Sequence, residues 1–327
     1  MQGDGQRSIE GLSFPCGRVM GIQIRLHVLL PLVAILAALS PVLASHPWQS
    51  VLLALLVAGP LLVITVLIHE LGHVIAAKRC GCTTDHILLW PLGGLAFIGD
   101  RGVKPKEQIL ISGSGPATHL PMLALWAGVL AVLHGSVTLS THGLWVDTNF
   151  GSLICIAMLN TNLVMLLFNL LVPCFPLDCS RILASLLLLR GMEPGNAAKV
   201  IVICSVIALA AVAFLSVWSS LTGHSSSSFN VVMAVWLALQ TWKLHQARVT
   251  GQLAFYPLFS AVMNTGASTT PPVQSSTGTG PNFQPFQEGP TAVGKPTSTP
   301  GSSQVCLASA IALLMAVSVA QVGTSSS

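Results

Sequence analysis

Six stretches of this chain are apolar over lengths that approach or match a lipid bilayer, and they constrain what it can fold into more than any other feature. They cover residues 22–44, 51–77, 109–133, 151–172, 198–221 and 230–244. A hydrocarbon core about 30 Å thick is crossed by about 20 apolar residues in a helix. The sixth stretch is short and takes Trp236 and Trp242 as interfacial flanks. A seventh, weaker run covers 305–322. Hydrophobic residues make up 52% of the chain and charged residues only 7%, too few to solvate a water-soluble surface. The expectation is an all-α polytopic membrane protein: a six-helix transmembrane bundle with a small membrane-embedded β-hairpin. The net charge of +4 is too small to point to nucleic acid.

The placement of the charges predicts an orientation. With the N-terminus in the cytosol or its equivalent, threading six helices puts all 14 Lys and Arg on that one side, from Arg7, Arg18 and Arg25 through Lys78, Arg79, Arg101, Lys104 and Lys106 to Arg248 and Lys295. The opposite loops, near His46, over 134–149 and over 224–228, carry none. The predicted organisation is a cytosolic N-terminal segment over 1–20, a six-helix membrane core over 21–250, a linker over 251–304, and a candidate seventh membrane segment with its tail over 305–327. The linker is dominated by Ser, Thr, Gly and Pro and cannot bury enough apolar surface to fold, so it is expected to be disordered. Residues 1–18 carry Asp4 and Glu10 and no apolar core, unlike a cleaved signal peptide. The 8 cysteines form no C-x-x-C pair and are expected to be packed or free thiols rather than a disulfide framework.

The second apolar stretch ends in Ile68-His69-Glu70-Leu71-Gly72-His73. On a helix, His69 and His73 project from one face a turn apart and can share a metal ion, while Glu70 stands beside them to take a proton from a metal-activated water. That arrangement serves zinc-assisted hydrolysis. About 0.005 such matches are expected by chance in a chain of this composition. Ionisable groups so close to the hydrocarbon are costly unless something binds them, which also favours a metal site.

A catalytic zinc usually has three protein ligands and one open position. The orientation removes Asp147, which falls on the opposite side. Asp178 stands out: it follows the fourth stretch in Asn169-Leu170-Leu171-Val172-Pro173-Cys174-Phe175-Pro176-Leu177-Asp178, and that stretch runs toward the same face as the second. Pro173 and Pro176 break the helix and free backbone groups, which a bilayer tolerates where they line a cavity. The third ligand is therefore expected to be Asp178, the alternative being an interfacial ion pair with Arg181.

These residues, in this order, resemble the site-2 protease family of intramembrane zinc metalloproteases (peptidase family M50), in the sporulation-factor-processing subgroup without a PDZ domain. The resemblance covers about residues 18–190. Gly21-Ile22-Gln23-Ile24-Arg25-Leu26-His27 is similar to the start of the subgroup's first helix, His69–His73 to its zinc motif, and Pro91-Leu92-Gly93-Gly94 to its membrane-embedded hairpin. The stretch from Asn169 to Arg181 is similar to the element whose Asp ligates zinc. The resemblance implies one zinc per chain held by His69, His73 and Asp178, with Glu70 as the proton carrier and a transmembrane protein as substrate. Two departures stand out: Asp178-Cys179-Ser180 replaces Asp-Gly-Gly, whose glycines permit a tight backbone, and His119 ends Gly115-Pro116-Ala117-Thr118-His119 where the family has Asn. They bear on efficiency and pocket shape rather than on the metal.

Residues 86–100 read as two short strands around Gly93-Gly94; an edge strand there could pair with an unwound substrate, or the element could be a structural plug. Asn169 could hydrogen-bond the substrate carbonyl or a developing oxyanion, or simply bridge helices. His119 reads as a packed or interhelical histidine rather than a ligand, and Gly113 and Gly115 as close-packing positions. Three other readings compete with the protease. A zinc or cation transporter would need further acids or histidines on the outer half, and an inactive membrane chaperone of the same fold would lack Glu70 or a ligand. A prenyl-protein protease would need a further Glu in another helix.

Overall fold

A computed structural model of the chain describes residues 12–43, 48–90, 93–98, 103–134, 149–221, 228–266 and 302–306. The first part of the expected N-terminal segment, Pro91 and Leu92, Asp147, the linker over 267–301 and the run from residue 307 lie outside the described residues. The chain opens with a hairpin of β1 (Ser13–Val19) and β2 (Ile22–His27), then α1 (Leu29–Leu43). Helices α2 (Trp48–Leu56) and α3 (Leu62–Arg79) follow, joined through a wide turn over Val57–Leu61. Next come β3 (Thr84–Trp90), β4 (Gly93–Ile98), α4 (Pro105–Ala117), α5 (His119–His134) and α6 (Phe150–Leu171). After a short extended segment come α7 (Asp178–Leu189), α8 (Pro194–Leu221), α9 (Ser228–Val249), a 3-10 turn (Gln252–Phe255), α10 (Pro257–Gly266) and β5 (Ser302–Cys306).

Among the described residues, four helical stretches are long and apolar enough to cross a membrane: Trp48–Arg79, Pro105–Leu133, Phe150–Leu171 and Pro194–Trp218. Large apolar side chains stand open on their outer faces, among them Ile64, Leu125, Val132, Ile207 and Phe214. Such surface suits lipid rather than water. The first expected span departs from the prediction. Residues 22–27 are strand, and the helix that follows has 15 residues, about 22 Å at 1.5 Å per residue. The reason is in the alternation: Ile22, Ile24 and His27 are buried while Gln23 and Arg25 are not, a strand pattern merged with the apolar run behind it. The sixth stretch forms a longer helix than expected, of 22 residues. The Trp236 ring packs on Trp90 of β3 at 5.7 Å between centroids.

The sheet is larger than a hairpin and corrects the all-α expectation. Among the described residues it has 5 strands in the order β1-β2-β3-β4-β5. Strand β2 runs parallel to β3, with Gln23 opposite His86 and Leu26 opposite Leu89. Strand β4 pairs antiparallel with β3 on one side and with β5 on the other, where Gly94 faces Cys306 and Ile98 faces Ser302. Neither β3 nor β4 is therefore an edge strand. Residues 252–266, expected in the linker, are helical, and Leu253 and Phe259 are buried against α7, α8 and α9. Ile22, Ile24, Ile87 and Leu89 of the sheet share a core with Val66, Val74 and Ala77 of α3, Ile111 of α4 and Met165 of α6. That core sets the depth and rotation of α3. The Lys78 ammonium adds a tie, donating to the Met20 carbonyl at 3.2 Å.

Helix α6 ends at Leu171, ahead of Pro173, as a missing N–H and ring clash require. The extended segment to Leu177 is held from α8: the Phe175 N–H donates to Ser205 Oγ at 2.8 Å, and that hydroxyl donates to the Ile201 carbonyl at 2.8 Å. Both bonds are buried, so Ser205 fixes the segment that delivers Asp178. Ser205→Ala leaves a buried amide unsatisfied, at a cost of about 1–3 kcal/mol. The expected result is a lower unfolding midpoint in detergent micelles, with Ser205→Thr close to the wild type; equal loss in both variants would contradict this role.

Candidate metal centre

His69 and His73 lie one turn apart on α3 and face inward, with 0% and 2% of their surface exposed. Asp178, the first residue of α7, meets them. The two Nε2 atoms are 3.1 Å apart, and Asp178 Oδ2 lies 3.4 Å from each. These three side chains form a group that could hold a metal ion among the described residues. Bonds of 2.0–2.1 Å at tetrahedral angles separate ligand atoms by about 3.3 Å. Three lone-pair donors packed this tightly repel one another unless a cation or proton lies among them. The donor set and its spacing fit a small tetrahedral ion.

The tautomer of His73 follows from its partner. Its Nδ1 lies 2.7 Å from the Ile111 carbonyl, which can only accept, so Nδ1 carries the proton and Nε2 keeps its lone pair for the centre. His69 Nδ1 lies 2.9 Å from His119 Nε2. Asp178 presents Oδ2 to both imidazoles.

Two glycines make room. A methyl group on Gly115 would fall on the His73 ring and 2.7 Å from His69 Nε2, so α4 crosses α3 at this point because residue 115 has no side chain. On the facing helix, a Cβ on Gly72 would lie 2.7 Å from the Ser114 carbonyl. Gly113, expected to share this role, has nothing within 4 Å of where its Cβ would be.

Glu70 is fully buried on the same turn as His69. A Cβ on Gly94 would land on its carboxyl group, so β4 presents bare backbone to Glu70. Gly93 has φ 146, which also favours glycine. Asn169 is fully buried, and its amide donates to the Met165 carbonyl at 3.0 Å, four residues back on α6. One amide N–H goes to the helix; a second N–H and the oxygen belong to the same group. The absence of glycine after Asp178 has a local explanation. Cys179 and Ser180 lie in the first turn of α7, and among the described residues Met20 is the one non-glycine with positive φ. The Ser180 hydroxyl donates to the Leu177 carbonyl at 2.7 Å and tightens that turn.

Asn162 was not singled out by sequence, although an Asn inside an apolar span is the same signal that drew attention to Asn169. It is fully buried, and its Oδ1 lies 2.9 Å from His119 Nδ1.

Long apolar helices around a buried His-His-Asp group define an integral membrane protein with an internal group able to hold a metal ion. Residues 56–145 match the family model described as peptidase family M50. Rip3 of Mycobacterium tuberculosis is 28% identical over 278 residues, covering 80% of this chain and 64% of Rip3. A zinc metalloprotease of Methanocaldococcus jannaschii is 30% identical over 172 residues, covering 52% of this chain and 44% of that protein. Stage IV sporulation protein FB of Bacillus subtilis is 31% identical over 147 residues, covering 42% of this chain and 45% of that protein. The chain thus spans less than two thirds of the length of each of these relatives.

The glycine geometry gives a paired test. Gly115→Ala is expected to abolish metal retention, measured by mass spectrometry of the purified protein, while Gly113→Ala retains it. Equal metal content in the two variants would contradict the packing described.

Proposed function

We infer that this chain is an intramembrane zinc metalloprotease that hydrolyses peptide bonds in transmembrane segments of other proteins. The observation that carries the reading is the convergence of His69 Nε2, His73 Nε2 and Asp178 Oδ2 within 3.4 Å, with the buried carboxyl of Glu70 on the same helical turn. His69, His73 and Asp178 would hold one zinc. Bound there, zinc lowers the pKa of water and polarises a carbonyl as a Lewis acid.

The chain's own residues supply the rest. Glu70 takes a proton from the attacking water and delivers it to the departing amide nitrogen, the usual work of a general base that then turns acid. Its place against the bare backbone of Gly94 holds the carboxyl at the centre. Asn169 would steady the scissile carbonyl as charge builds on its oxygen. An active-site side facing the cytosol or its equivalent belongs to this reading. It is supported by the one-sided distribution of Lys and Arg.

A peptide bond reaches such a centre only when the substrate helix unwinds, and an extended backbone then needs a strand to pair with. Strand β4 passes Glu70 but already carries β5 on its outer side. A substrate would add to β4 in exchange for residues 302–306. Replacing Gln304 or Val305 by Pro removes a strand donor and is expected to raise the cleavage rate of a single-span substrate; an unchanged rate would show that β5 does not compete.

The direct test pairs Glu70→Gln with Asp178→Ala in co-expression with tagged single-span substrates. Glu70→Gln should keep its zinc and lose about 10²–10⁴-fold in cleavage rate, whereas Asp178→Ala should lose both. Cleavage by Glu70→Gln at the wild-type rate, or a wild-type protein that purifies without zinc, would overturn the reading.

A further inference from the structure

One buried chain of hydrogen bonds runs away from the metal centre through residues with no part in the proposed chemistry. His69 Nδ1 lies 2.9 Å from His119 Nε2, His119 Nδ1 lies 2.9 Å from Asn162 Oδ1, and Asn162 Nδ2 donates to the Met158 carbonyl at 2.8 Å. His69, His119 and Asn162 are each 0% exposed, so no solvent competes for these bonds. The chain links three elements: α3 carries His69, α5 begins with His119, and α6 carries Asn162 and Met158.

The direction of the protons can be read from the far end. The Met158 carbonyl only accepts, so Asn162 must turn its amide nitrogen toward it and its oxygen toward His119. That oxygen only accepts, so His119 Nδ1 carries a proton. A neutral imidazole protonated on Nδ1 has a lone pair on Nε2, and this lone pair takes the proton of His69 Nδ1. His69 Nε2 is thereby left unprotonated, 3.1 Å from His73 Nε2 and 3.4 Å from Asp178 Oδ2. The opposite direction would put a proton on His69 Nε2 and withdraw it from the centre.

We propose that His119 is a positioning residue: with Asn162 behind it, it fixes the tautomer and ring orientation of His69 so that Nε2 is permanently presented to the metal. It acts through His69 and touches neither substrate nor metal. The two imidazoles of the centre then have different supports. His73 is held by the backbone carbonyl of Ile111, which no substitution removes, whereas His69 depends on two side chains. The location of His119 suits the task, because α4 and α5 break at Thr118, whose hydroxyl donates to the Gly115 carbonyl at 2.7 Å, and the chain resumes with His119 already under α3. The same turn thus places the clearance at Gly115 and the support at His119.

The inference rests on the reading of His69 as a ligand, and its test separates the two. The readout is the zinc dissociation constant of the purified full chain in detergent, from competition with a chromogenic chelator, together with the visible spectrum of the cobalt-substituted protein. Partners that orient a ligating histidine typically carry about 10–100-fold in metal affinity. His119→Leu is expected to weaken zinc binding by about that factor and to alter the cobalt spectrum. His119→Gln, which can accept from His69 and donate to Asn162, should stay within about threefold of the wild type. Asn162→Leu, which leaves His119 free to reverse its proton, should fall between the two, and the double variant His119→Leu/Asn162→Leu should be no weaker than His119→Leu alone. Wild-type affinity in His119→Leu, or equal loss in His119→Leu and His119→Gln, would overturn the proposal. Should His119→Leu fail to fold, wild-type affinity in Asn162→Leu would overturn it. A wild-type chain that binds no zinc would overturn both this inference and the protease reading.

Discussion

Everything in this structure is arranged around one demand, that three lone-pair donors stand within 3.4 Å of each other inside an apolar bundle. In water such groups would be solvated separately; in a low-dielectric interior each must be oriented by the protein or neutralised by a cation. The chain meets the demand by close backbone approach. Gly115 lets α4 lie on the two imidazoles, and Gly94 lets β4 lie on Glu70. A methyl group at either place would overlap the His73 ring or the Glu70 carboxyl, so these glycines are fixed by what faces them rather than by a turn.

The surrounding architecture sets each donor independently. Helix α3 is clamped between the sheet and α4 and α6 by one apolar core running from Ile22 to Met165. Asp178 comes from a different part of the chain, and its approach is set by the break after Leu171 and by the Ser205 hydroxyl that captures the Phe175 amide. Two rigid supports therefore meet at the centre, and small shifts of either would change ligand distances that a tetrahedral ion tolerates poorly. The distribution of work is uneven: backbone fixes His73, side chains fix His69, and a first-turn helical position presents Asp178.

How much of this was legible follows from the range of the interactions. The grouping of His69 with His73 was legible because a helix places residues four apart on one face, and the approach of Asp178 because two prolines announced a break beside an acid. The strand over Ile22–His27 was visible in its alternation but hidden by the apolar helix behind it, since a wide hydrophobic window reads through both. The helices over 252–266 carried a signal in Leu253, Phe255, Leu258 and Phe259 that was outweighed by the composition beyond them. The pairing of β5 with β4 had no local signal, because Ser302–Cys306 contains no apolar alternation. His119 and Asn162 are 43 residues apart, and only tertiary packing brings them to His69. The roles of Gly94 and Gly115 were likewise illegible, since a glycine's clearance depends on what faces it.

The central claim is that the centre is built from two imidazoles and a carboxylate, and X-ray absorption at the zinc edge of the purified full chain tests it most directly. The account predicts a first shell of nitrogen and oxygen only, at about 2.0–2.1 Å, with the outer-shell scattering of two imidazole rings. A sulfur shell at about 2.3 Å, drawn from any of the 8 cysteines, or a spectrum lacking the imidazole scattering, would contradict it.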